Sequence, residues 1–365
     1  MIVTAKGLAD RGHNVTVLTF YQGGLYDKEL ADTQVQLLCL NKKGRWDIFP
    51  FLYRLIKILR TQSPELIYSF LGTANILSVL TRCFVPHLRV VWSVRASDMD
   101  LEQYDRLSRW SYRLECRLAR YSDLVIANSQ AGSEYAVQHG FPTDKMAVVP
   151  NGIDTERFHI DRAAGKALRK QWGIAEDECL IGVVGRIDPM KGIPVFLEAA
   201  TLISKHYPGL RFVWVGAGDQ AYTEEMAQLS IELGLKDLLV WAGRHSDMVA
   251  VYNALDIASS SSSYGEGFPN VLGEAMACGV PCVVTNVGDS ALVVGDTGLV
   301  VSAKNSQALA DAWITILSLD DALLHERKIA IRDRVVNKFS VSALIQNTST
   351  LLFADSSEIS REHPN

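Results

Sequence analysis

The chain of 365 residues reads as two tandem doubly wound α/β domains facing each other across a cleft. Three observations predict this. Short β-branched runs of strand length recur throughout, separated by stretches long enough for a helix, which is the pattern of buried parallel strands joined by right-handed crossovers. The rhythm pauses at "VVPNGIDTERF" (148–158), where Pro150, Asn151 and Gly152 are breaker residues. The length, with 48% hydrophobic residues, suits two cores better than one. Residues 1–155 are therefore read as a first domain and 156–338 as a second, with the ligand in the cleft at the carboxyl ends of the strands.

The elements follow in order. "IVTAKGLADRGH" is a helix in progress stopped by Gly12, and the strands of the first domain are "NVTVLTF" (14–20), "VQLLCL" (35–40), "ELIYSF" (65–70), "LRVVWSV" (88–94) and "DLVIAN" (123–128). A doubly wound domain opens with a central strand and a glycine turn, and neither precedes that helix here. The expectation is that the first strand is missing, that the strands at 14–20 and 65–70 lack a shared neighbour, and that the chain as written is unstable or inactive. In the second domain the strands are "CLIGVVGRI" (179–187), "LRFVWVGAG" (210–218), "DLLVWAG" (237–243), "ALDIASS" (254–260), "GVPCVVT" (279–285) and "GLVVSA" (298–303).

Composition excludes several classes. The six cysteines are scattered, with no Cys-x-x-Cys and no zinc spacing, and read as reduced residues of a cytoplasmic protein. Lys6, Asp10 and Arg11 occupy the place of a signal peptide's apolar run, and no segment is apolar enough for a membrane span. The net charge of −5 is uneven: residues 1–150 carry +4 and residues 151–365 carry −9. There is no basic excess with interleaved aromatics in the acidic half, no full Gly-x-Gly-x-x-Gly after a first strand and no Gly-x-Ser-x-Gly. This disfavours a nucleic-acid binder, a dehydrogenase and a serine hydrolase.

Anion-binding chemistry gathers in the second half. In "GVVGRIDPMKG" (182–192) a strand ends at Gly185, and Arg186 and Lys191 follow across a turn. A guanidinium fork and a point charge suit a diphosphate whose charge grows as a bond to it breaks. "GAGD" (216–219) is a second strand-end glycine turn. In "GEGFPNVLGEAMACG" (265–279) Pro269 opens a helix running to about Ala277, so Gly265 to Phe268 form the loop before it and its amides attract phosphate. Asn270 and Glu274 share a face of that helix. Glu266 and Glu274 cannot be phosphate ligands, and should accept hydrogen bonds from ribose or hexose hydroxyls.

These residues carry a resemblance. "GRIDPMKG", "SSSSYGEGFPNVLGEAMACGVPCVVTNVGD" and "IANSQAGSEYAVQHGFPTDKMAVVPNGIDTERF" resemble the retaining glycosyltransferases of family four (glycosyl transferases group 1), whose GT-B fold pairs two Rossmann-like domains. The likeness runs in order from "KGLADRGHNVTVLT" (6–19) to "RDRVVNKFS" (332–340). It implies that Arg186 and Lys191 bind the donor diphosphate, that Glu274 holds the ribose, and that Glu266 with the backbone of Gly267 and Phe268 meets sugar and phosphates. Pro269, Asn270, Gly216 and Arg244 complete the donor-binding set. Arg95, in "WSVRAS", stands where many members have an active-site histidine and is expected to touch donor sugar or acceptor. Residues 339–365 become a crossing helix and a tail, with "SSEISREHPN" disordered.

The implied reaction moves a hexosyl or N-acetylhexosaminyl group from a nucleotide-diphosphate sugar, a UDP-sugar, to a saccharide or lipid-linked saccharide in cell-surface polysaccharide synthesis. It needs no hydrolase-type pair of carboxylates if the leaving phosphate takes the acceptor proton on the same face, and no metal or other cofactor because the cations and a helix terminus stabilise the departing diphosphate. "DMD" (98–100) is read as a polar loop or helix entry and not a metal motif. For the acceptor domain, "GRWDIFPFLYRLIKILRTQ" (44–62) groups Trp46, Phe49, Leu52, Ile56 and Leu59 with Arg54, Lys57 and Arg60 interleaved, and 104–121 carries Arg106, Arg109, Arg113, Arg117 and Arg120. With the +4 half, they suggest peripheral docking on the inner face of an anionic membrane. An inactive sugar-nucleotide-binding fragment or paralogue and a nucleotide-sugar epimerase of the same architecture are the alternatives.

Overall fold

The computed structural model of the chain describes residues 1–24, 27–44, 46–95 and 106–353. The "DMD" motif at 98–100 and the tail from 354 onward lie outside the described residues.

The second domain is one parallel six-stranded sheet. Its strands, numbered in chain order after the six of the first domain, are β7 (Cys179–Val184), β8 (Leu210–Val215), β9 (Leu239–Gly243), β10 (Ile257–Ser260), β11 (Cys282–Thr285) and β12 (Leu299–Val301), in the spatial order β12-β11-β10-β7-β8-β9. They are apolar on both faces because helices cover both: Leu180, Val213 and Val284 face one core, and Ile181, Phe212, Trp214 and Val283 the other. The strand order reverses between β7 and β10, which pair at Ile257–Ile181. In a sheet wound in both directions from such a point, the loops leaving the two strands diverge and open a crevice at their carboxyl ends.

Among the described residues the first domain holds two parallel sheets: β1 (Thr16–Thr19) with β2 (Gln36–Cys39), and β3 (Leu66–Phe70), β4 (Arg89–Val94), β5 (Leu124–Ala127) and β6 (Met146–Val148) in that order. Among the described residues β1 pairs only with β2, and β3 only with β4. The strands at 14–20 and 65–70 thus sit in different sheets. Helix Ile2–Asp10 packs between them, with Leu8 in the core that contains Val91, Leu124 and Ile126, and Ala5 and Ala9 against Val17 and Val35.

Among the described residues two segments cross between the domains. The outgoing chain at Ile153 and the returning chain at Ser340 lie side by side as a short parallel bridge, Ile153 N–H donating to Phe339 O at 2.7 Å and Val341 N–H to Ile153 O at 3.1 Å. The returning helix, Val341–Phe353, then packs against helix Ile2–Asp10, and Arg89 of β4 donates to the carbonyls of Leu351 and Leu352 at its end.

One expectation is corrected. In helix Ile48–Gln62 the buried stripe is Phe51, Leu55 and Leu59, while Trp46 and Phe49 point to solvent, 87% and 84% exposed. The apolar group expected there is thus split between two faces. Arg54 folds back onto Leu40 O and the Asp47 carboxylate.

Candidate active site

The crevice at the switch point is lined by the loops after β7 and β10. After Gly185 the chain makes a tight turn, Pro189–Lys191, whose start is fixed by Asp188: its carboxylate accepts from Met190 N–H at 3.0 Å. The turn separates the two cations. Arg186 stays 70% exposed, 3.8 Å from Asp188. Lys191 is drawn inward, its side chain only 15% exposed, and its ammonium pairs with Glu266 Oε1.

The loop after β10 explains the serine run. Ser259, Ser260, Ser261 and Ser262 are buried. Ser261 Oγ donates to Lys191 O at 2.8 Å, Ser262 Oγ donates to Glu266 Oε1 at 2.6 Å, and Thr285 Oγ1 donates to Ser262 O at 2.7 Å. Glu266, 9% exposed, is thus held by an ammonium and a hydroxyl on the same oxygen. A buried carboxylate so held is oriented as well as neutralised.

Helix Asn270–Ala277 starts next, with Pro269 at its cap position. Phe268 is 6% exposed and stacks edge-on with Phe339 at 5.5 Å, so this residue offers a ligand its backbone and not its ring. Glu274 lies one turn in from Asn270, and its Oε2 accepts a 2.6 Å hydrogen bond from the hydroxyl of Tyr252. Burial pushes the Glu274 carboxyl above the usual range, and the Tyr252 bond and nearby Arg157 pull it back. Tyr252 went unnoticed in the sequence, where a tyrosine in "VYNALDI" reads as core. It is 1% exposed and does serve the core, but its hydroxyl is aimed at Glu274.

Beside this lies a cavity of about 680 Å³ whose lining includes Arg186, Asp188, Gly216, Asp219, Tyr222 and Arg244. Gly216 has φ +152°, and a Cβ there would overlap Gly185 O, so the two strand-end turns touch backbone to backbone. Arg186, Gly216 and Arg244 therefore share one wall, while Lys191 and Glu266 pair on the neighbouring loops.

Arg95 reaches the same helix from the other domain by one intermediary. Its guanidinium donates to Ser93 Oγ at 2.9 Å and to Asn151 Oδ1 at 2.6 Å, and lies 5.5 Å over the Phe70 ring. Asn151 Nδ2 in turn donates to Asn270 Oδ1 at 3.0 Å. The arrangement combines exposed cations for an anion, a neutralised carboxylate and a second, oriented one for hydroxyls, and an arginine at the opposite wall.

Comparison with known proteins agrees with the two-domain fold. The family model described as "Glycosyltransferase Family 4" matches residues 2–157, and the one described as "Glycosyl transferases group 1" matches residues 165–333. The D-inositol 3-phosphate glycosyltransferase of Corynebacterium urealyticum is 31% identical over 64% of this chain, which spans 60% of that protein's length. The UDP-Gal:alpha-D-GlcNAc-diphosphoundecaprenol alpha-1,3-galactosyltransferase of Escherichia coli is 24% identical over 80% of this chain and 75% of its own. Among solved structures, Anabaena Alr3699/HepE in complex with UDP superposes with a TM-score of 0.82 at 23% identity, covering 96% of this chain and 94% of that one. One domain matched by each of the two models, and the two-domain GT-B architecture shared with that structure, leave a single assignment: the chain belongs to the family 4, group 1 glycosyltransferases.

Proposed function

We propose that the chain transfers a hexosyl or N-acetylhexosaminyl group from a UDP-sugar to a saccharide or lipid-linked saccharide acceptor, with the anomeric configuration retained, in cell-surface polysaccharide synthesis. The observation that carries this reading is the Lys191–Glu266 ion pair at the switch point, beside the cavity that Arg186 and Arg244 line. A diphosphate entering there replaces Glu266 as the partner of Lys191, and Arg186 is exposed to fork its oxygens. The released Glu266 carboxylate then accepts from the donor sugar's hydroxyls, while Glu274 accepts from the ribose. As the bond between the sugar and the diphosphate breaks, the two cations and the start of helix Asn270–Ala277 stabilise the departing charge. The leaving phosphate takes the acceptor's proton on the same face, and Arg95 faces the reacting centre from the first domain. The relatives support the substrate classes. The Escherichia coli protein is named for a UDP-sugar donor and a diphosphoundecaprenol-linked acceptor, and the Anabaena protein has been crystallised with UDP-glucose.

Membrane docking belongs to the same proposal. No described helix is long and apolar enough to cross a bilayer. Trp46, Phe49 and Tyr53 nevertheless lie exposed beside Lys57 and Arg60, the composition of a surface that inserts aromatics between anionic headgroups. Flotation with anionic vesicles at low salt checks it, and absence of binding removes the membrane from the reading.

The test of the function is nucleotide release and product formation across a panel of nucleotide sugars and saccharide acceptors, with the product anomer read by NMR. Transfer with retention from one UDP-sugar is the expected result. Binding of UDP with neither transfer nor donor hydrolysis would identify a non-catalytic nucleotide-sugar binder instead.

A further inference from the structure

The two domains are also joined at a point that the proposed reaction does not use. Helix Gln130–Gln138 of the first domain starts just after β5, at the cleft edge of its sheet. Three amides at its start need acceptors. Ser129 Oγ, its own cap, takes Gly132 N–H at 3.0 Å. The other two are taken by the second domain: Gln130 N–H donates to Asp289 Oδ2 at 2.7 Å and Ala131 N–H to Asp289 Oδ1 at 2.9 Å. Asp289 is 3% exposed, and although it precedes helix Ser290–Val294 its side chain does not cap that helix. Its carboxylate is given wholly to the other domain.

The backbone around Asp289 rests on the loop of the candidate site. Asp289 N–H donates to Gly267 O at 3.1 Å. Gly288, at φ +55°, lies so close to the Glu266 carbonyl that a Cβ would overlap it. One rigid segment therefore touches the Glu266–Gly267 loop through its backbone and the first domain's helix through its side chain.

We propose that Asp289 is a positioning residue, an interdomain latch that holds helix Gln130–Gln138 against the donor loop and so fixes the distance between the two walls of the cleft. Its importance for turnover rests on the transferase reading; its effect on domain separation does not. Two charge-assisted bonds in a buried place hold the closed arrangement, and they are reversible, because on opening both the carboxylate and the helix amides are rehydrated. Asp289 makes no contact with Arg186, Lys191 or Glu274, so nucleotide affinity should survive its loss, whereas alignment of acceptor and donor should not.

The experiment uses Asp289→Ala, Asp289→Asn and, from the other side, Gln130→Pro. Gln130 is the first helical residue, where proline is favoured, and Ser129 before it is extended at φ −152°, ψ 152°, so the proline deletes one donor without distorting the helix. Asparagine keeps one acceptor but turns its own amide toward a second donor. Small-angle scattering in the presence of UDP should show Asp289→Ala more extended than wild type, with the other two between. UDP affinity by calorimetry should stay within about twofold, and kcat should fall roughly ten- to hundredfold, the scale of a small misalignment. Gln130→Pro combined with Asp289→Asn should be less than additive. Unchanged scattering in both Asp289→Ala and Gln130→Pro would overturn the latch. A wild type that neither binds UDP nor turns over a donor would overturn the transferase reading and leave the scattering result standing.

Discussion

At the scale of single residues, the site is a set of paired charges, and each pair makes a different demand. Lys191 and Arg186 are assigned to the diphosphate, so Lys191→Ala and Arg186→Ala should each lower kcat at least about a hundredfold, as loss of one transition-state donor does, with the unfolding midpoint little changed for exposed Arg186. Wild-type turnover in both variants would remove the diphosphate assignment. Tyr252→Phe keeps the ring in its core and deletes only the bond to Glu274. The carboxylate loses its orientation, and UDP affinity should fall about tenfold, a loss worth about 1.4 kcal/mol, with much less effect for a nucleotide lacking the ribose hydroxyls. Equal loss for both nucleotides would mean that Tyr252 acts on something other than the ribose. A third carboxylate, Glu115, is 9% exposed in the first domain, accepting from Asn75 Nδ2 at 2.7 Å. Burial pushes its carboxyl above the usual range and the Asn75 bond pulls it partly back. A raised folded pKa favours the protonated form, so the contribution of Glu115 to stability is full below the ordinary carboxylate range and is lost as pH rises through the folded value. Glu115→Gln should therefore gain stability relative to wild type at neutral pH and lose that advantage near pH 4. Urea unfolding at the two pH values measures it.

At the scale of elements, the parallel strands were the most legible feature. Each expected run contains an observed strand, most plainly where the strand is buried on both faces and apolar without interruption, as in β5, Leu124–Ala127. β6 was missed: it has three residues, Met146–Val148, and merges into the Pro-Asn-Gly breaker. Helix Ile48–Gln62 was legible as a helix but not in its facing, since aromatics at helical spacing do not reveal which side meets the sheet. In the candidate site, Arg186, Lys191 and Glu266 stand out because their loops carry turn residues, and Glu274 because it lies one turn beyond Asn270 on a helix that Pro269 and Gly279 delimit, but Tyr252 and Asp289 do not stand out. Their partners are 22 and 159 residues away, and no local pattern encodes such pairings. The returning helix Val341–Phe353 gives a prediction of its own. The carbonyls of Leu351 and Leu352, in its last described turn, are taken by Arg89, a cation near the negative end of the helix. Arg89→Ala should fray that end and lower stability by about 1–3 kcal/mol in chemical denaturation.

At the scale of the whole molecule, the second domain is one continuous sheet while the first is divided. β1 and β3 each have a single hydrogen-bonded neighbour among the described residues, so each presents an edge. Deuterium exchange should be faster in peptides spanning β1 and β3 than in those spanning β4 and β5, whose strands are paired on both sides. Equal protection would show that those edges are covered in solution. The paired crossing of Ile153 and Ser340 has a mechanical consequence. Two crossings bonded side by side act as a single pivot rather than as two separate tethers. Relative motion is then confined mainly to rotation about an axis through that pivot. Displacement grows with distance from it, so the far lip of the cleft travels furthest while Asn151, next to the pivot, keeps its bonds to Arg95 and Asn270.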